Sequence, residues 1–186
     1  PEHVAAWQEN LILEQDHLGP IPRTNISIKI SSLFANTDPI AHDVSVQGLF
    51  DALKPILEEA EKNGTLINFD MEQFEYKDLT LNLFMKCCDE INFPAGLAMQ
   101  AYLRSGDEDA KTISDWAKRT GRIVTVRLVK GAYWDYETIH AEEMGWPVPV
   151  WSRKVDTDAC FERMAAIFIE STPTTNDEGG VKLALG

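Results

Sequence analysis

The stretch DEDAKTISDWAKRTGRIVTVRLVK, residues 107–130, indicates the fold because a helix pattern passes directly into a strand pattern. Residues 107–120 read as a helix and residues 123–130 as a strand. Arg127 lies on the strand face opposite to that of the aliphatic side chains. Repeated along a chain, units of this kind build a sheet of parallel strands with helices between them.

The same alternation extends in both directions from this stretch. The apolar spacing predicts strands at 25–31, 66–71, 96–102 and 123–130, and helices at 46–62, 79–88 and 107–120. Pro55 predicts a kink or a later start in the first helix, and Asn63-Gly64 predicts its left-handed end. After residue 130 we expect a long connection rich in Trp and Pro, a helix at 158–170 and a strand at 181–186.

Polar side chains mark the C-terminal ends of the four predicted strands. Each strand carries one charged or amide residue there, namely Lys29, Asp70, Gln100 and Arg127. In an open sheet with helices on both faces, these groups would be buried under helices and could not contact a ligand. In a closed barrel one face of every strand points into the lumen, so the four would converge at one mouth. A complete (β/α)8 barrel needs about 250 residues. We therefore predict an α/β fold in which residues 1–186 form one partial TIM-like barrel domain, truncated at both ends.

Composition excludes several classes of function. The chain has 17 Lys plus Arg against 30 Asp plus Glu, a net charge of −13, which leaves no basic surface for nucleic acid or anionic lipid. It has no apolar run of about 20 residues and no signal segment at residues 1–3. Three cysteines, Cys87, Cys88 and Cys160, fit no disulfide framework, which indicates a reducing cytoplasm. Cys87 and Cys88 lie in an apolar helix-like run, so we expect these two thiols to be buried and structural. No His or Cys stands at metal-ligand spacing.

Several candidate residues have more than one interpretation. Asp70 and Glu72 share a strand face, so they are either a pair of catalytic carboxylates or ion-pair partners for Lys29 and Arg127. The Gln100 amide can donate and accept, which suits the imide edge of a heterocycle. Lys130 ends a strand, and a desolvated lysine there could form a Schiff base, as class I aldolases do. An inactive barrel fragment is the non-enzymatic alternative.

A family resemblance narrows these alternatives. Residues 126–137, VRLVKGAYWDYE, closely resemble the fifth-strand signature of proline dehydrogenases. The likeness continues, in the family's order, through SIKISSL at 27–33, INFDMEQ at 67–73, MQAYL at 99–103 and WSRKVDTD at 151–158. The segments INFDMEQ and YKDLTL are most similar to the proline dehydrogenase module of bifunctional proline utilization A. On this resemblance the chain covers about strands 2 to 5 of the barrel and the start of strand 6.

The resemblance implies an FAD-dependent enzyme that removes a hydride from the ring carbon beside proline's nitrogen and forms pyrroline-5-carboxylate. In the substrate pocket it assigns Lys29 to the carboxylate, Asp70 to the polar network and Tyr133 to an aromatic wall. Gln100 and Arg127 match residues bonded to the isoalloxazine. The remaining implied FAD contacts are Val129, Gly131, Ala132, Trp134, Ser152, Lys154 and Thr157.

The resemblance also implies partners, and this sequence departs from the family pattern at two points. It implies L-proline, a quinone or another electron acceptor, a fused aldehyde dehydrogenase module and peripheral membrane association of the parent protein. Ser152 stands where the family often has threonine, which keeps the hydroxyl. Relatives continue past the position of Gly186 into a Thr-His-Asn flavin contact, two further strands and a helix bearing a paired arginine and a glutamate. We therefore expect a partial sequence of an enzyme.

Overall fold

The computed structural model describes residues 7, 8, 10 and 12–186; His3 and the rest of residues 1–6 lie outside the described residues. Five helices follow one another along this part of the chain: α1 His42–Asn63, α2 Lys77–Glu90, α3 Gly106–Thr120, α4 Trp134–Met144 and α5 Lys154–Glu170. Seven strands are present: β1 Gln15–Asp16, β2 Gly19–Pro20, β3 Asn25–Ile28, β4 Leu66–Phe69, β5 Ala95–Gln100, β6 Ile123–Val129 and β7 Gly180–Leu185. Short 3₁₀ turns lie at Ile30–Ser32 and Phe74–Tyr76.

The sheet confirms the predicted α/β architecture. Strands β3 to β7 pair in sequence order, and every pair is parallel. A helix connects each strand from β3 onward to the next one, as parallel pairing requires. The C-terminal ends of all five strands therefore lie along one edge of the sheet.

Strand register sorts the side chains into layers on the face away from the helices. Ala98, Arg127 and Ala184 are direct cross-strand neighbours, and Gln100 lies opposite Val129 in the next layer. Lys29 and Asp70 follow the last paired residues of β3 and β4. Small residues thus alternate with the polar ones across this face, which leaves room beside Arg127.

The other face of the sheet forms the core with the helices. Phe69 of β4, Phe84 of α2 and Trp116 of α3 pack edge to face, with ring centroids 5.4 and 5.9 Å apart. Along β6, buried and half-buried side chains alternate, as expected for a strand with one covered face. The thiols of Cys87, Cys88 and Cys160 are free and buried, and burial raises the pKa of Cys88 to about 12. These thiols are structural, as predicted for Cys87 and Cys88.

Element boundaries differ from the prediction in several places, of which three affect the interpretation. Helix α1 begins at His42 and runs through Pro55, so the expected later start is wrong, whereas Gly64 ends the helix in the left-handed conformation as predicted. Strand β3 stops at Ile28 because Ile30 begins a 3₁₀ turn. The predicted connection after residue 130 contains helix α4, which the sequence did not reveal because its apolar residues form no single stripe.

A small hairpin joins the beginning of the described chain to its last strand. Strands β1 and β2 pair antiparallel, and Asp16 of β1 forms an ion pair with Lys182 of β7. His17 Nε2 lies 2.9 Å from the carbonyl oxygen of Pro173, and Asn176 Nδ2 donates to Leu18 O at 2.9 Å. Among the described residues, no helix combines the length and apolar character needed to cross a bilayer.

Candidate active site

The four polar strand-end residues line one cavity of about 480 Å³ at the C-terminal edge of the sheet. The cavity is formed by the ends of β3 to β7, the loop after β6 and one side chain of α5. Its lining consists of Lys29, Asp70, Met71, Ala98, Gln100, Arg127, Val129, Lys130, Gly131, Ala132, Tyr133, Phe161 and Gly186. The convergence predicted from strand parity is thus present in the structure.

Asp70 is the centre of the charged network in this cavity. Its Oδ1 accepts a hydrogen bond from Arg127 Nη2 at 2.7 Å, and its Oδ2 lies 3.4 Å from Lys29 Nζ. Asn68 Nδ2 donates to the same Oδ1 at 3.2 Å. The Asp70 side chain is only 17% exposed, whereas that of Lys29 is 53% exposed. Lys29 is therefore the cation that can turn toward an incoming anion while Arg127 holds Asp70.

Glu72 does not belong to this network. Its two oxygens accept hydrogen bonds from the backbone NH and the hydroxyl of Ser31, at 3.0 and 2.5 Å. The Glu72 side chain is buried, so it fixes the turn that follows β3. Of the two interpretations of the Asp70 and Glu72 pair, the structure favours ion pairing, and only Asp70 takes part in it.

Two buried polar atoms in the cavity wall lack a hydrogen-bond partner among the described residues. They are Gln100 Oε1, an acceptor, and Arg127 Nε, a donor. An unmade buried hydrogen bond costs about 1 to 3 kcal/mol. The two atoms can be satisfied together by a ligand whose edge both donates and accepts.

Gly131 brings the backbone close to an aromatic ring at the cavity rim. Its φ is +135°, and a Cβ placed there would lie 2.4 Å from Cγ of Tyr102. The Tyr102 backbone NH in turn donates to Lys130 O at 2.7 Å. Only glycine allows this conformation and this approach together.

Replacing Gly131 with alanine is expected to lower the free energy of unfolding by about 3 kcal/mol or more, because backbone strain and overlap with Tyr102 add. Gly145→Ala is the matched control: its φ is +68° and its Cβ would meet no atom within 4 Å. That variant should lose only about 1 to 2 kcal/mol. Urea unfolding of both variants measures the difference, and equal losses would contradict the close approach.

The cofactor residues assigned by resemblance fall into two groups. Gln100, Arg127, Val129, Gly131 and Ala132 line the cavity, as does Tyr133 of the substrate set. Trp134, Ser152, Lys154 and Thr157 do not line it and lie on or beside α4 and α5. Trp134 Nε1 donates to Trp151 O at 2.8 Å; Ser152 and Lys154 are exposed and Thr157 is buried.

One charged residue links the two groups. Asp158 accepts from Lys130 Nζ at 2.5 Å and from Lys154 Nζ at 2.6 Å, so the cavity rim and the start of α5 share a carboxylate. The Lys130 side chain is half exposed. A Schiff-base lysine needs a desolvated amine that is free to attack a carbonyl, whereas the Lys130 amine is half exposed and paired with Asp158. The geometry therefore argues against an aldolase.

Sequence reasoning overlooked Asn68 as a site residue. It is buried, and its amide contacts both Asp70 and, at 3.5 Å, the hydroxyl of Ser27. Gly96 on β5 gives it space, because a Cβ there would lie 2.9 Å from Asn68 Oδ1. The available signal was parity, since Asn68 shares the strand face of Asp70.

Comparisons with known proteins agree on one family. The sequence model described as proline dehydrogenase matches residues 2–181. The bifunctional protein PutA of Klebsiella aerogenes is 33% identical over 151 residues, which cover 76% of this chain and 12% of that protein. Proline dehydrogenase 1 of Bacillus subtilis subsp. natto is 30% identical over 110 residues, which cover 59% of this chain and 32% of that protein.

Solved structures give the same result. Proline utilization A from Bdellovibrio bacteriovorus, inactivated by N-propargylglycine, superposes with a TM-score of 0.92 at 37% identity. The match covers 99% of this chain and 19% of that chain. Proline utilization A from Corynebacterium freiburgense has a TM-score of 0.77 at 30% identity over 86% of this chain and 17% of its own. The chain thus spans about a fifth or less of these longer proteins.

Proposed function

Because the chain belongs to the proline dehydrogenase family, we propose that it forms part of the active site of an enzyme that oxidises L-proline to pyrroline-5-carboxylate, the first step of proline catabolism to glutamate. The observation that carries this proposal is the Asp70–Arg127 ion pair at 2.7 Å, set beside the unpaired Gln100 Oε1 and Arg127 Nε in one cavity. A cavity that combines the Lys29 and Arg127 cations with polar atoms lacking hydrogen-bond partners suits a zwitterionic substrate beside a heterocycle.

We propose further that the five parallel strands are consecutive strands of a (β/α)8 barrel, about strands 2 to 6, in one partial domain over residues 1–186. Two features support a barrel over an open sheet. Polar strand-end residues share the face that lacks helices, and β3 and β7 each pair with one neighbour of the described sheet. If the sheet closes into a barrel, this face lines the barrel lumen, and the candidate active site lies at the C-terminal end of the barrel.

FAD is the cofactor that we propose for this cavity, and the residues present fit it. Gln100 and Arg127 supply an unpaired acceptor and donor for the edge of the isoalloxazine, and residues 129–131 line the same cavity. Ser152, Lys154 and Thr157 stand at the start of α5, suited to the ribityl, phosphate or adenosine part. When bound, FAD supplies the hydride acceptor for the reaction.

The residues of this chain position proline for that step. Lys29 binds the substrate carboxylate through its exposed ammonium, and Asp70 fixes the positions of Lys29 and Arg127 by pairing with both. Tyr133 covers the apolar ring. The ring carbon beside nitrogen loses a hydride, the nitrogen loses a proton, and a carbon–nitrogen double bond forms. Arg127 favours the negative charge that develops on the acceptor side.

Replacing Lys29 with methionine should raise KM for proline about tenfold and leave kcat within about a factor of three. The lost ammonium contacts proline only at its carboxylate, away from the ring carbon that reacts. Lys62→Met is the control, since Lys62 is an exposed surface lysine paired with Glu59. Steady-state kinetics with an artificial electron acceptor separate the two constants. A fall in kcat with unchanged KM would contradict the role of Lys29.

Partners and location form part of the same proposal. The PutA relatives are described as bifunctional, which supports a fused aldehyde dehydrogenase module. A quinone or another acceptor would reoxidise the cofactor, with peripheral membrane association of the parent protein. The buried free thiols fit the cytoplasm, and the acidic surface offers nucleic acid no binding site.

Flavin absorbance and proline-dependent reduction of an artificial acceptor test this function in the complete polypeptide that carries the domain. A yellow protein that reduces the acceptor only with proline supports the proposal. A complete polypeptide that retains no flavin and shows no proline-dependent activity would contradict the proposal.

A further inference from the structure

A second cavity of about 490 Å³ lies outside the candidate active site and shares none of its residues. It is formed by the turn after β4, one face of α4 and the segment that follows α4. Its lining consists of Phe74, Glu75, Arg104, Tyr136, Glu137, His140, Ala141, Trp146, Pro147, Val148 and Pro149. This volume falls in the range of small-molecule sites, about 300 to 1,000 Å³.

Aromatic rings form much of its wall. The rings of Tyr136 and His140 stack with centroids 5.5 Å apart, and Trp146 meets His140 edge to face at 5.7 Å. Phe74, Tyr136 and Trp146 remain 40%, 43% and 56% exposed. Aromatic faces carry partial negative charge and attract cations. The three exposed rings around this cavity therefore offer cation–π and apolar contacts to a positively charged group with apolar substituents.

Glu137 places a carboxyl group in the wall of the same cavity. The residue is 4% exposed, and its Oε1 accepts a hydrogen bond from the backbone NH of Phe74 at 2.7 Å. Among the residues that the structure describes, no Lys or Arg forms an ion pair with this carboxylate, and His140 is the basic group that acts on it. Burial raises the pKa of Glu137, the hydrogen bond from Phe74 lowers it, and nearby Glu75 and His140 act in opposite directions. A buried carboxylate that no Lys or Arg pairs is stabilised in its charged form when a cation approaches.

Arg104 also lines this cavity, but its guanidinium group points away from it. Arg104 Nε donates to Val148 O at 3.1 Å, and its guanidinium carbon lies 4.8 Å from the ring centroid of Trp151, which does not line the cavity. The stem of Arg104 therefore contributes to the wall while its charge lies over another ring.

We propose that this cavity binds a compact organic cation, an alkylammonium group with apolar substituents, between the aromatic rings and the Glu137 carboxylate. An anion would be repelled by Glu75 and Glu137, and a neutral apolar molecule would leave Glu137 without a counter-charge. The net charge of −13 raises the local concentration of cations around the chain. This inference does not depend on proline oxidation.

Calorimetric titration of the complete polypeptide that carries the domain tests the proposal with choline as the probe. The control ligand is 3,3-dimethyl-1-butanol, which replaces the ammonium nitrogen of choline with carbon and is neutral. Choline should bind at least tenfold more tightly than this isostere. Equal binding of the two, or no binding because another segment fills the cavity, would overturn the proposal.

Variants locate the site. Glu137→Gln keeps an acceptor for Phe74 and should weaken choline binding about tenfold, whereas Glu143→Gln, on the same helix but outside the cavity, should leave it unchanged. Trp146→Leu alters an exposed side chain and should weaken binding about threefold without impairing folding. Unchanged choline affinity in both Glu137→Gln and Trp146→Leu would refute this location.

Discussion

Replacing Arg127 with methionine should lower proline turnover by about tenfold to a hundredfold and make the bound flavin harder to reduce. The guanidinium donates to Asp70 through Nη2 and presents an unpaired Nε to the cavity. Methionine keeps the length of the side chain and removes the cation that favours reduced flavin. The Arg127 side chain is 42% exposed, so solvent screens part of its charge and the effect stays moderate.

Potentiometry of the bound flavin measures this effect directly. A loss of about 1 to 2 kcal/mol corresponds to a potential lower by about 20 to 40 mV for a two-electron couple. Arg119→Met, an exposed arginine near the end of α3, serves as the control and should change neither the potential nor the turnover. An unchanged flavin potential in the Arg127 variant would show that this arginine does not act on the cofactor.

The 186-residue chain by itself should show no measurable proline oxidation, although the complete polypeptide that carries it should be active. In the described sheet, β3 and β7 each leave one edge unpaired, and the half-buried side chain of Val129 lines the open cavity. Such edges and apolar surfaces favour aggregation. The family resemblance also implies two arginines on a later helix that clamp the substrate carboxylate.

Loss of one charged hydrogen-bonded partner costs about 2 to 5 kcal/mol, a factor of roughly 30 to several thousand in affinity. Without both arginines, proline would bind too weakly for turnover at any practical concentration. The measurement compares the purified chain with the complete polypeptide by flavin absorbance and by reduction of an artificial acceptor. A yellow chain that turns over like the complete polypeptide would contradict both the barrel proposal and the implied role of the arginines.

Parity along the strands was enough to predict the centre of the candidate site. Asp70, Gln100 and Arg127 each stand opposite the aliphatic side chains of their strands, and the structure brings them to one cavity with Lys29. The exact partners could not be predicted, because Asp70 and Glu72 share a face in an ideal strand. They separate only because β4 ends at Phe69 and Glu72 turns to Ser31.

Other features of the fold could not be predicted from the sequence pattern, because they depend on how the elements pack. Helix α4 lacks one apolar stripe, since it borders a cavity on one side and solvent on another. Ile26 shares parity with the buried Ile30 yet is 47% exposed, because β3 lies at an edge of the sheet. The roles of Trp134, Ser152, Lys154 and Thr157 stay predictions from the family resemblance.

The hairpin of β1 and β2 has a consequence for the order of events during synthesis. From β3 onward each strand pairs with the strand made just before it, so the sheet can grow as the chain leaves the ribosome. The hairpin instead contacts Pro173, Asn176 and Lys182, near the other end of the described chain. At about 5 to 20 residues per second, the hairpin waits on the order of ten seconds or more for these partners. Until then the hairpin lacks these contacts, and its docking follows the emergence of the fifth parallel strand.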